Sequence, residues 1–260
     1  MQPLRKAFAF ARVASRHALS EKGELFGRCA LYALLLFVFQ RLWATIAIDQ
    51  SDASWNQMLW YLALTEWITL SIPTVHLDIE ADVRSGDIAY QLPRPTSYLF
   101  ARLAGGAGTV VVRLAVLGVL GFGMTYALSG GAVPAGIQLA QALLVGLGAS
   151  GLALICVVGI GITALWLQDV SPIYWAWQKS VFVLGGLFVP LTLYPGWLRS
   201  VAEWTPCHVL LYGVGSRVLP SPELSTVAVI VRLAAWSALL LLLVVLLYRR
   251  AVARLDLNGG

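Results

Sequence analysis

Between Leu77 and Arg102 four carboxylates, Asp78, Glu80, Asp82 and Asp87, alternate with three guanidiniums, Arg84, Arg94 and Arg102, in the run LDIEADVRSGDIAYQLPRPTSYLFAR. Such a stretch can be a solvated charged loop or a docking surface whose charges pair with a partner. Ser85-Gly86-Asp87 signals a turn, and Pro93 and Pro95 stop any helix there. Four more ionisable residues, Arg41, Glu66, Arg113 and Arg232, stand inside apolar runs. At the centre of a membrane helix such a group costs about 2.5–3.5 kcal/mol on insertion scales, so it turns toward protein or water. Glu66 and Arg113 lie about eleven and ten residues from the same ends of neighbouring runs. Adjacent antiparallel helices put them at similar depth and predict an ion pair, structural rather than substrate-binding. Arg41 and Arg232 lie in the outer thirds of their runs and can snorkel. Gln40 beside Arg41 is a candidate for lining a translocation path.

No Ser/His/Asp set, paired catalytic carboxylates or HExxH occurs, and His17, His76 and His208 fall at or beyond the edges of apolar runs. Cys29, Cys156 and Cys207 make no CxxC and no Cys/His ligand spacing, so neither a disulfide framework nor a metal site is expected. Only Lys6, Lys22 and Lys179 are lysines, and none follows a glycine. A phosphate-cradling P-loop needs that Gly-Lys pair, so this chain is not expected to hydrolyse ATP or to bind a cofactor.

The elements that must position these groups are six long apolar stretches, at about 29–48, 57–76, 103–128, 137–165, 173–193 and 226–248. Spanning ~30 Å of hydrocarbon takes about 20 helical residues, and lipid leaves the backbone no partner but itself. The fold class expected is an all-α polytopic membrane protein, a single domain over residues 1–260. Of the 260 residues 59% are hydrophobic and 12% charged, which leaves no room for a sizeable soluble domain. The net charge of +5 is not a nucleic-acid signature. With the N-terminus in the cytoplasm, inner segments carry thirteen of the eighteen basic residues and outer loops only Arg199 and Arg217. The positive-inside rule then puts both termini inside.

Residues 1–28 precede the first run and do not read as a cleavable signal. Within them Arg5, Arg12 and Arg16 share one helical face, and Leu4, Ala7, Phe8, Ala11, Ala14 and Ala18 the other. That pattern fits a helix lying in the membrane interface, its bases on lipid headgroups. Gly146 with Ser150 and Ala149 with Ala153 have small-xxx-small spacing for close packing. Ser171-Pro172 reads as the capped start of the fifth span. Residues 194–225 mix apolar and proline positions, as short helices dipping into the outer leaflet would. Trp43, Trp55, Trp60, Tyr194, Trp197 and Trp204 read as an outer aromatic belt.

RSGDIAYQLPRPTSY resembles a cytoplasmic signature of permease subunits of type-2 ABC exporters, the small six-span ABC-2 permeases. GGLFVPLTLYPGWLRSVAEWTPCHVLLY resembles the same family's span 5 and outer re-entrant segment. Pro93 departs from it, standing where an aliphatic residue precedes the Arg-Pro pair. The resemblance implies six transmembrane helices, an N-terminal connecting helix, and re-entrant helices between spans 5 and 6. It also implies a coupling helix within 77–102, with Asp82, Arg84, Gly86 and Asp87 at the ATPase interface. Spans 1, 2 and 5 would border the substrate path. Implied partners are ABC ATPase subunits, which would carry ATP and Mg, a second permease chain (identical or a sister), and membrane lipids. Two readings without that partner remain beside it: an ion-coupled secondary transporter, which would use the buried Glu66 and Arg113, and a non-transporting membrane scaffold. No sequence repeat supports the former.

Overall fold

The computed structural model describes residues 2–46, 52–93, 96–220 and 222–258, and every regular element among them is helical. Arg94 and Pro95 of the expected signature, and the side chain of Trp43, lie outside the described residues. Helix α1 is Gln2–Ser20, α2 Lys22–Ile46, α3 Asp52–Ser71, α4 Val75–Ser85 and α5 Asp87–Gln91. Helix α6 is Tyr98–Leu128, α7 Gly136–Ile162 and α8 Ser171–Leu184. The chain closes with α9 Gly196–Glu203, α10 Pro206–Leu210, α11 Tyr212–Gly215 and α12 Thr226–Asn258.

Among the described residues four helical stretches are long and apolar enough to cross a membrane: Lys22–Leu42, Tyr98–Leu128, Gly136–Leu165 and Thr226–Ala253. The runs expected at 57–76 and 173–193 are built differently. Helix α3 sits at the centre, with every side chain from Leu59 to Ile68 buried and α2, α6, α7 and α11 around it. A helix apolar on all sides belongs inside a bundle, and protein neighbours rather than lipid answer its Thr65 and Trp67. Trp60, expected in a surface belt, is therefore a core residue whose indole N–H donates to the Ala132 carbonyl at 2.9 Å. Trp197 and Trp204 of the same expected belt are exposed.

Helix α8 has 14 residues, about 21 Å at 1.5 Å per residue. It stops at Gly185-Gly186, where Gly186 takes the left-handed φ of 65°. The carbonyls freed there are claimed by α3: the Tyr61 hydroxyl donates to Gly186 O at 2.5 Å and Thr65 Oγ1 to Leu187 O at 2.8 Å. Irregular backbone is tolerated at depth where protein satisfies it in this way. Beyond α9, residues 207–219 are buried without interruption, packed against α3, α7, α8 and α12. At the start of α8 Val170, not Ser171, holds the N-cap position, and the Asp169 carboxylate just before it accepts the Ser171 N–H at 2.9 Å. The Ser171 hydroxyl first, and then its N–H, hold the Asp169 carboxyl below the usual carboxylate range.

The amphipathic α1 lies along α6. Its Ala11, Ala14 and Ala18 side chains are at least partly covered, while Leu4 and Phe8 stay exposed. Close approach needs Gly108, where a Cβ would collide with the Ala11 backbone, and Ser15 Oγ donates to the Gly108 carbonyl at 3.0 Å. Gly108→Val is expected to lift α1 away from α6. Cysteines placed at residues 11 and 14 should then react with a maleimide several-fold faster, and unchanged labelling would refute this packing.

Candidate functional site

Helix α3 ends at Ser71 because Pro73 brings no N–H and cannot continue it. Its last carbonyls need donors, and two arginines supply them. Arg28 Nη1 donates to Leu70 O at 2.6 Å and Arg113 Nη1 to Ile72 O at 3.0 Å. Glu24 lies between them, accepting from Arg28 at 2.9 Å and from Arg113 at 2.7 and 2.8 Å. Cations at a helix C-terminus also oppose its dipole. This triad ties α2, α6 and the end of α3 together beside the joint that leads into α4.

The predicted Glu66–Arg113 pair is thus corrected: Arg113 belongs to Glu24 and Ile72. Glu66 makes no ion pair among the described residues, and its buried Oε1 has no hydrogen-bond partner. Counting depth from run ends failed because α3 stops at Ser71 and α6 begins at Tyr98. The true register is fixed by the Trp67 indole donating to Leu114 O at 2.8 Å. Arg113 reaches from there toward Ile72, just past the end of α3, six residues beyond Glu66 and about 9 Å further toward α4.

Helices α4 and α5 form a helix–turn–helix around Gly86, which caps α4 at φ 78° with its N–H on Val83 O. The pair is braced on two sides. Asp82 accepts the Tyr98 hydroxyl at 2.5 Å and pairs with Arg102, both on α6. Arg84 pairs with Glu80 at 2.8 Å and donates to Gln168 O at 2.7 Å. Glu80 in turn accepts the Val170 N–H at 3.3 Å. His76 stacks on Tyr174 with centroids 3.8 Å apart. Burial, against nearby Glu80, brings the His76 imidazole down to about 4, so it stacks as the neutral ring.

Of the four expected interface residues, Asp82 and Arg84 therefore hold α4 in place, while Gly86 and Asp87 form an exposed turn. Tyr90, not among those four, is 80% exposed although Ile88 in the same short helix is buried. A two-residue offset within a five-residue helix is too brief a pattern to separate from loop in the sequence. Gln40 is partly buried and Arg41 exposed, its guanidinium 5.3 Å over the Phe37 ring. Both lie near the far end of α2, apart from the triad. Arg217, expected in an outer loop, is buried, donating to Ser216 Oγ at 3.0 Å and Thr226 Oγ1 at 3.3 Å. A loop arginine carries no mark of burial in its own sequence.

The arrangement offers a rigid, exposed helical turn joined through Pro73 to the central helix. Comparison with protein-family models and with curated proteins gave no match.

Proposed function

We propose that this chain is the membrane permease subunit of an ATP-driven exporter of the type-2 ABC class, working with a separate ATPase. The observation that carries this reading is the braced α4–α5 turn, which exposes Gly86, Asp87 and Tyr90 and connects directly to the buried α3. A helix pair fixed to α6 through Asp82 and to α7–α8 through Arg84 and Glu80 can deliver a push without bending. In this reading α3 and the broken α8 complete six spans with the four membrane-length helices. Both termini and the α4–α5 turn face the cytoplasm, and the buried short helices after α9 re-enter from the outer side. Two permease chains, identical or sisters, enclose the path, and two ATPase chains holding ATP and Mg close beneath them. ATP shifts the equilibrium only through its tighter binding to the closed state.

Gentle purification from the native membrane tests this. A stoichiometric companion carrying a P-loop supports the proposal; a stable chain without one overturns it. A second reading, ion-coupled transport, rests on Glu66, a buried carboxyl with an unpartnered oxygen. Under the leading reading Glu66→Gln leaves flux within about twofold and insensitive to a protonophore. Loss of a gradient-dependent flux in that variant would favour the second reading.

A further inference from the structure

A cavity of about 330 Å³ lies between α1, the start of α2, the α3–α4 joint and α6. The ionisable residues lining it are His17, Glu21, Glu24, Asp78, Arg102 and Arg113. Its charges do not cancel. Glu24 takes Arg113, and Asp82, outside the cavity, takes Arg102. Glu21 meets only His17, at 3.4 Å, and Asp78 makes no ion pair among the described residues. Partial burial raises the Asp78 carboxyl, opposed by Arg102 and helped by Asp82 and Glu21. Two carboxylates thus face one chamber with no committed cation. Among the described residues no group of three His, Cys, Asp or Glu is placed to hold a metal ion. An organic cation that donates several hydrogen bonds fits better.

A second cavity, about 620 Å³, adjoins the first and shares Ala14, His17, Ala101, Arg102 and Gly105 with it. It follows α1 along Ala9, Phe10 and Val13, with Lys6 at its edge. A carboxylate-lined chamber, a wall bearing His17 and Arg102, and an apolar groove therefore lie side by side on one amphipathic helix. Those are the parts, in order, of an ammonium, a phosphate and an acyl chain.

We infer that the two chambers hold one aminophospholipid, with its primary ammonium between Glu21 and Asp78, its phosphate at His17 and Arg102, and a chain along Phe10 and Val13 toward Lys6. The ammonium has three N–H donors for two carboxylates. A choline headgroup has none, and phosphatidylglycerol sets no cation against them. The inference rests on the membrane placement proposed above and not on the ATPase partner, so failure to find that partner leaves it standing.

The test uses the full chain in mild detergent, with lipid retention read by native mass spectrometry and thermal unfolding followed with each lipid added. Phosphatidylethanolamine is expected to be retained about tenfold more than phosphatidylglycerol or phosphatidylcholine, and to raise the unfolding temperature. The double variant Asp78→Asn/Glu21→Gln should reduce that preference to parity while still retaining phosphatidylglycerol, which reports intact fold. Val13→Glu, on the exposed side of α1 along the chain groove, is the independent variant and should weaken ethanolamine-lipid retention severalfold. Equal retention of all three lipids, an unchanged preference in both variants, or equal stabilisation by free phosphoethanolamine would overturn the inference.

Discussion

Glu24→Ala is expected to destabilise the chain by roughly 3 kcal/mol, the lower part of the range for breaking a buried ion pair. Glu24 is a third exposed, but the Arg113 side chain it neutralises is only 4% exposed. Alanine would leave two guanidiniums, Arg28 and Arg113, facing each other at the end of α3. Both keep their bonds to the Leu70 and Ile72 carbonyls, so the loss is one of charge compensation, not of helix capping. With total stabilities of about 5–15 kcal/mol for typical domains, such a loss lowers the unfolding temperature markedly. Removing both charges, Glu24→Ala with Arg113→Met, should cost less than the sum of the single changes. Thermal unfolding of the four proteins in one detergent decides the matter, and additive effects would mean that Glu24 and Arg113 are not coupled.

Tyr90→Ala should act in the opposite manner, leaving stability alone and releasing the proposed ATPase partner. Its ring is 80% exposed, so truncation opens no cavity. In a docked complex the same ring would fill a pocket, and buried aromatic anchors contribute about 2 kcal/mol or more. ATPase retention during purification should fall at least tenfold with the unfolding temperature unchanged. Arg84→Ala should lower both, because Arg84 ties α4 to Gln168 and Glu80. At Gly86 a β-branched residue would meet no neighbour but would strain the left-handed backbone by about 1–2 kcal/mol, turning α5 off its axis. Retention of the ATPase by the Tyr90 variant at wild-type level would remove α4–α5 from the interface.

What could be read from the chain was what its local patterns encode. The two-sided leader became α1, the turn at Ser85-Gly86-Asp87 became the α4–α5 joint, and the small residues near Gly146 became a buried helix face. Pairings that depend on where helices stop were lost. Hydropathy runs on past Ser71, yet Pro73 ends α3 there, which moves Arg113 from Glu66 to Glu24. Glu24 itself sat among the leader's basic residues, and only the extension of α2 back to Lys22 carries it into the bundle. Asp82 and Arg84 looked like surface charges because sequence does not show that Arg102 and the Gln168 carbonyl lie beside them.

The short α8 has a consequence for how the protein is made. A 14-residue helix followed by open carbonyls cannot partition into lipid from the insertion machinery on its own hydrophobicity. The hydroxyl that donates to Gly186 O is on Tyr61, 125 residues earlier in the chain. In the membrane reading proposed above, residues 171–219 dock onto a scaffold of α3 and α7 that is already in place, and biogenesis of this segment is an assembly step guided by templating, with the earlier helices acting as an intramolecular chaperone.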